Sequence, residues 1–138
     1  MVDKKNVINI LTKYFPDVQA VYIFGSWETH DERGTSDVDI ALLLPADTAR
    51  QVGSLAVHDV RFELESVLGR DVDLINLRLV NTVLQKEIVT TGRRIFCAQD
   101  GYAAELFEML TLSLYQKLNE ERADIVQEIM DSGRVYYL

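Results

Sequence analysis

GSWETHDERGTSDVDIALLL, residues 25–44, joins two apolar runs through a polar connection that carries a Gly-Ser pair and two aspartates. The preceding run VQAVYIF predicts a buried strand that ends at Phe24, and DVDIALLL predicts a second strand that Pro45 closes. Strands favour β-branched and aromatic residues, so carboxylates at Asp37 and Asp39 need a specific reason.

The spacing of the two aspartates places them on one face of the second strand. Alternate residues of a strand point the same way, so Asp37 and Asp39 share a face while Val38 turns to the other. Two neighbouring carboxylates repel each other, and burying them is costly unless a cation lies between them. An exposed strand start, where both groups are simply hydrated, gives the same pattern, and the pair alone leaves both interpretations open.

The Gly-Ser pair predicts an anion site at the turn after the first strand. SWETHDER can form a short helix that begins at Ser26 and ends before Gly34, and the free N–H groups of a helix start attract anions. Gly25 allows a phosphate to approach the backbone, and Ser26 adds a hydroxyl donor. A simple helix cap at Ser26 is the competing interpretation.

Chain topology brings these residues together. Ten residues separate Ser26 from Asp37, which is short for a parallel crossover, so the first two strands are expected to be antiparallel neighbours. A long helix from Asp47 to Gly69 then returns the chain, and DVDLINL is expected to run parallel to the second strand. The third strand therefore begins at the edge where the Gly-Ser pair and the first two aspartates meet.

That third strand supplies a further carboxylate. Asp71 and Asp73 share a face, and Asp73 is favoured because it lies further inside the strand; whether Asp71 assists it stays open. Three carboxylates beside a phosphate site suit two Mg²⁺ ions that clamp an in-line displacement at phosphorus. In this arrangement Asp37, Asp39 and Asp73 are the metal ligands, and Asp73 is also a candidate base.

The remaining periodicity predicts an α/β fold: a small mixed sheet of about four strands flanked by helices, with a long C-terminal helix. We expect one domain over residues 1–138, with a catalytic unit at about 18–97 and a helical accessory at about 100–138. The accessory helix, predicted from Asp100 to about Ser132, has an apolar stripe wider than packing on one sheet requires, which favours a protein interface. The apolar stripe consists of Leu106, Phe107, Leu110, Leu114 and Leu118, and it is broadened by Met109, Leu112 and Tyr115.

Composition excludes several classes of function. The net charge of −8 and the pI near 4.7 argue against direct nucleic-acid binding, whereas a nucleotide can still bind through divalent cations. Cys97 is the single cysteine, and the sequence contains neither a secretory leader nor a membrane-length apolar run. These features predict a cytoplasmic protein without a membrane partner.

The pattern GS, ten residues, then D-x-D resembles the nucleotidyltransferase superfamily that includes DNA polymerase β, and the short chain resembles its minimal nucleotidyltransferase (MNT) branch. The match covers about residues 18–97: Gly25, Ser26, Asp37 and Asp39 fit the motif position by position, and Asp73 fits the third carboxylate. The resemblance implies the nucleotidyltransferase fold, nucleotide binding at the Gly-Ser pair, Mg²⁺ as cofactor and ATP as substrate.

Many MNT proteins are MntA-type antitoxins that are paired with a HEPN-domain RNase toxin. The resemblance therefore implies transfer of AMP from ATP to a tyrosine of the toxin, with the toxin as a stable partner. A binding-only antitoxin with a vestigial site, and nucleotidyl transfer to a small molecule, are the alternatives. The chain has Trp27-Glu28-Thr29-His30 where family members often carry an arginine, so Arg33 and Trp27 are further candidates for nucleotide contacts.

Overall fold

The computed structural model describes residues 4–25, 37–99 and 101–132. These residues form four strands and five α-helices, with a short 3₁₀ turn at Leu77–Leu79. The strands are β1 Ala20–Phe24, β2 Val38–Leu43, β3 Val72–Asn76 and β4 Arg93–Cys97, and the helices are α1 Lys4–Tyr14, α2 Ala46–Val52, α3 Asp59–Leu68, α4 Thr82–Thr91 and α5 Tyr102–Ser132.

The strands form one mixed sheet in the order β3-β2-β1-β4. β1 pairs antiparallel with both β2 and β4, and β2 pairs parallel with β3. The register sets Phe24 opposite Asp39, and Asp39 beside Asp73. The predicted α/β class, the four strands and both predicted strand relationships are confirmed.

Helices cover both faces of the sheet, and strand alternation divides the core between them. Val38, Ile40 and Leu42 of β2 pack in a buried cluster with residues of α1 and α3. Ala41 and Leu43, on the opposite face, belong to a second cluster with residues of α4 and α5. Because both faces are buried, the register of β2 is strongly fixed.

The segment between β2 and β3 contains two helices, so the prediction of one long helix from Asp47 to Gly69 is wrong. Gly53, with φ +66°, ends α2, and the side-chain amide of Asn76 donates hydrogen bonds to the carbonyl oxygens of Ala49 (3.0 Å) and Gly53 (2.9 Å). His58 then caps α3, because its Nδ1 accepts from the backbone N–H of Val60 at 3.1 Å. These contacts stabilise a break that helical periodicity alone does not reveal.

The first part of α5 is anchored on the second face of the sheet. Phe107 is buried there, and the carboxylate of Glu108 accepts from Tyr22 Oη at 3.1 Å and from the guanidinium of Arg94. Burial, reinforced by the Glu108 charge, raises the pKa of Tyr22, so its hydroxyl stays protonated and donates. The predicted long C-terminal helix is therefore confirmed from Tyr102 to Ser132.

Two further predictions concern the segment after β1 and the division of the domain. The expected short helix at SWETHDER lies outside the described residues, and the division into a catalytic unit and a helical accessory stays a prediction. Over the described ranges, the chain contains no helix with the length and apolar character that crossing a membrane requires.

Candidate active site

The end of β1 lies against the carboxylate of Asp39. Gly25 follows Phe24 with φ +76°, a conformation that L-residues with a side chain rarely adopt. A Cβ atom built on Gly25 would lie 2.1 Å from Asp39 Oδ2, far inside van der Waals contact. Glycine is thus required twice here, for its backbone angle and for the space that the Asp39 carboxylate occupies.

Asp39 is half-buried at this edge of the sheet and lies near two other carboxylates. Burial raises the pKa of its carboxyl above the ordinary value of 3.8, and the charges of Asp73 and Asp37 raise it further. Asp73 exerts this effect from the neighbouring position on β3, and Asp37 from two residues earlier in the chain. The three carboxylates singled out in the sequence are therefore electrostatically coupled.

The same edge opens into a pocket of about 380 Å³. Asp37, Asp71 and Asp73 line it, together with Val72, Ala56 and Arg61. Asp71 is held there by its backbone, whose carbonyl accepts the N–H of Val38 at 2.9 Å. The structure thus brings both Asp71 and Asp73 to the pocket, while only Asp73 lies in register with Asp39.

Arg61 is a residue of this pocket that sequence analysis missed. Its guanidinium donates to the carbonyl oxygens of Val72 (2.9 Å) and Ala56 (2.7 Å) and to Glu65 Oε2 (3.3 Å). Glu65 Oε2 in turn accepts the backbone N–H of Val72 at 2.9 Å. Arg61 therefore fixes the start of β3 to the α2–α3 connection. An arginine on the polar side of a helix gives no local signal of such a role.

The donor chemistry of this edge suits a hard divalent cation. Its ligand candidates are all carboxylate oxygens, which Mg²⁺ prefers. Within the described ranges, no three His, Cys, Asp or Glu side chains are arranged closely enough to hold a metal ion. Asp37 and Asp73 are exposed, however, and can change rotamer around the half-buried Asp39. Of the predicted nucleotide contacts, Gly25 lies beside Asp39, whereas Ser26, Trp27 and Arg33 lie outside the described residues.

Comparison with known proteins gives this arrangement a family. Residues 5–101 match the family described as Polymerase beta, Nucleotidyltransferase. This chain belongs to that nucleotidyltransferase family. The resemblance drawn from the Gly-Ser pair and the D-x-D motif is confirmed.

Individual relatives of this nucleotidyltransferase extend the likeness beyond the catalytic motif. Protein adenylyltransferase MntA of Shewanella oneidensis is 36% identical over 128 residues, which cover 93% of this chain and 88% of the relative. A solved toxin–antitoxin structure with AMP-PNP matches with a TM-score of 0.72 and 33% identity, covering 94% of this chain and 99% of that chain. An MNT antitoxin in complex with a tri-AMPylated Shewanella oneidensis HEPN toxin matches with a TM-score of 0.65 and 32% identity, covering 92% and 95%.

We predict that Gly25→Ala destabilises this nucleotidyltransferase more than the same substitution at another glycine with a positive φ angle. Gly69→Ala is the matched control, because Gly69 has φ +66° and a Cβ there would meet nothing within 4 Å. The backbone conformation costs each variant about 1–2 kcal/mol, and the clash with Asp39 adds about 1–3 kcal/mol at Gly25 alone. Urea unfolding measures the difference; equal losses would show that the Asp39 carboxylate moves aside freely.

A second prediction follows from the raised pKa of Asp39. The folded protein binds this proton more tightly than the unfolded chain does, so protonation stabilises the fold at low pH. That contribution is lost as the pH rises from 3.8 through the folded-state pKa, and at pH 7 the charged carboxylate is repelled by its neighbours. The Asp39→Asn variant should therefore melt at a higher temperature than the wild type at pH 7. This difference in melting temperature should become smaller toward pH 4.

Asp124→Asn is the control for this experiment. It removes the same charge from an exposed position on α5 and should change the melting temperature little at either pH. If Asp39→Asn were the less stable protein at pH 7, the carboxylate would have to make a net favourable interaction in the fold.

Proposed function

We propose that this protein is a Mg²⁺-dependent protein adenylyltransferase and antitoxin, which transfers AMP from ATP to a tyrosine of a cognate HEPN-type RNase toxin and so neutralises it. The observation that carries the proposal is the contact of the Gly25 backbone with Asp39, beside Asp73, at one sheet edge. It occurs in a chain that is similar over 94% of its length to one from a toxin–antitoxin structure with AMP-PNP. We expect the reaction in the cytoplasm, a reducing compartment that the single cysteine suits.

Gly25 and Ser26 are the residues that we assign to the nucleotide phosphates. The absence of a side chain at Gly25 lets a phosphate oxygen approach backbone N–H groups closely, and the Ser26 hydroxyl can donate a further hydrogen bond. Because Asp39 lies directly beside Gly25, a phosphate bound at this turn also lies next to the carboxylates.

Asp37, Asp39 and Asp73 are the residues that we assign to the metal, as ligands for two Mg²⁺ ions. Their mutual repulsion, which raises the pKa of Asp39, is the kind of charge excess that a bound cation relieves. Mg²⁺ would supply neutralisation of the triphosphate and a lower pKa for the attacking hydroxyl. The exposed carboxylates of Asp37 and Asp73 can adjust to the ions, whereas Asp39 is half-buried beside Gly25.

A tyrosine hydroxyl suits this site as the acceptor. Its ordinary pKa of about 10 is well below that of a serine hydroxyl, so it ionises more readily. Asp73 takes up the proton, the tyrosine oxygen bonds to the α-phosphorus, and the bond from that phosphorus to the leaving pyrophosphate breaks. The pocket beside Asp73, braced by Arg61, is the open side of the site from which a loop of the toxin can enter.

Transfer of label from α-labelled ATP tests the proposal. With purified cognate toxin and Mg²⁺, the wild type should label the toxin band, and the double variant Asp37→Asn/Asp39→Asn should label nothing while keeping a native circular-dichroism spectrum. Toxin that the wild type neutralises without taking up label would identify a binding-only antitoxin. Label that appears only in a small molecule would identify a different acceptor.

The same assay separates the roles of Asp71 and Asp73. Asp73 lies in register with Asp39 and contributes to its raised pKa, whereas Asp71 precedes the strand and does not contribute. We predict that Asp73→Asn lowers kcat by at least about 100-fold, with Asp71→Asn as the matched control within about threefold of the wild type. The opposite ranking would assign the base or metal ligand to Asp71.

A further inference from the structure

Helix α5 continues well past the part of it that packs on the core. Its 31 residues span about 46 Å, and only its first third contributes buried residues, namely Ala104, Phe107 and Thr111. Every residue from 116 to 128 is exposed. Near the end of the anchored part, the ammonium group of Lys86 on α4 lies 4.9 Å from the centre of the Tyr115 ring.

The face of α5 that packs on the core stays apolar in the exposed part of the helix. We define the distal stripe as Leu114, Tyr115, Leu118, Ile125, Val126 and Ile129, which follow Phe107 and Thr111 at helical spacings of three, four and seven. Leu118 is 41% exposed, and Ile125 and Val126 are 57% and 50% exposed. The stripe is thus a core-like surface on a segment that the described part of the chain leaves exposed.

The exposed part of α5 that carries the distal stripe gains little stability from its own contacts. Its side-chain hydrogen bonds from Gln116 to Glu120 (3.2 Å) and from Gln127 to Asp131 (2.8 Å) both run within the helix. Isolated helices of about 12–15 residues are marginal in water, because most helix stability in proteins comes from packing an apolar face. A second surface laid on the distal stripe would supply that packing.

Charge indicates the chemistry of the covering surface. Residues 112–132 contain five acidic side chains (Glu120, Glu121, Asp124, Glu128 and Asp131) and two basic ones (Lys117 and Arg122), which gives a net charge of −3. Glu121 and Glu128 lie along one flank of the stripe, Asn119 lies along the other, and Arg122 falls within it. A second copy of this acidic helix would be repelled, whereas a helix with Lys or Arg along one edge would be attracted.

We propose that the distal stripe is the docking surface for an amphipathic helix of the cognate toxin. That helix would carry an apolar stripe, basic residues facing Glu121 and Glu128, and an acidic or polar residue opposite Arg122, which fixes its register. The identity of the partner rests on the proposed function, but the surface itself lies outside the catalytic residues and can be tested separately.

The test compares two double variants that add the same charge to α5. Leu118→Glu/Ile125→Glu changes the stripe, and Gln116→Glu/Ala123→Glu changes exposed positions off it. Each is combined with Asp37→Asn/Asp39→Asn, so that calorimetric titration with the purified toxin measures binding without AMP transfer. We expect the stripe variant to bind at least about 100-fold more weakly, the control to bind within about threefold, and both to keep the parental helix content.

Two results would overturn this proposal. One is equal affinity of the stripe and control variants for the toxin, and the other is a free chain that is dimeric until Leu118→Glu/Ile125→Glu dissociates it. Stripe-dependent binding without any AMP transfer by the wild-type site would support the docking surface while contradicting the proposed function. AMP transfer by the wild-type site, together with normal toxin binding by the stripe variant, would support the proposed function while contradicting the docking surface.

Discussion

Repulsion among carboxylates that the sheet holds together is the constraint on which the site depends. Antiparallel pairing of β1 with β2 sets the end of one strand at Asp39, and parallel pairing of β2 with β3 sets Asp73 beside it. Both faces of β2 are buried, so a shift of register would expose its core residues and cannot relieve the repulsion. Protonation or a bound cation are the ways in which this edge can be neutralised.

Several local features follow from that constraint. Gly25 leaves the space that the Asp39 carboxylate fills, so the turn after β1 and the carboxylates form one unit. Arg61 and Glu65 tie the start of β3 to the α2–α3 connection, which fixes the backbone of Asp73 despite the negative charge nearby. The edge is therefore rigid in its backbone and adjustable in the exposed side chains of Asp37 and Asp73, a combination that suits ion binding.

Much of this architecture could be predicted from the sequence, because it depends on local patterns. Apolar runs predicted a sheet of about four strands, and the short connection after Ser26 gave the antiparallel pairing that gathers Gly25, Asp37 and Asp39. The break at Gly53 could not be predicted, because it depends on Asn76 from a distant strand. For the same reason no pattern revealed Arg61 in the pocket, or Glu108 beneath Tyr22, which is 86 residues away in sequence.

The central claim is that these carboxylates direct AMP to a tyrosine of a protein partner, and peptide mass spectrometry tests it most directly. The cognate HEPN toxin would be incubated with this protein, ATP and Mg²⁺, assayed for loss of RNase activity, and then digested and sequenced. The account predicts an AMP adduct on a tyrosine that appears in step with the loss of activity. Toxin that becomes fully inactive while all its peptides stay unmodified would contradict it.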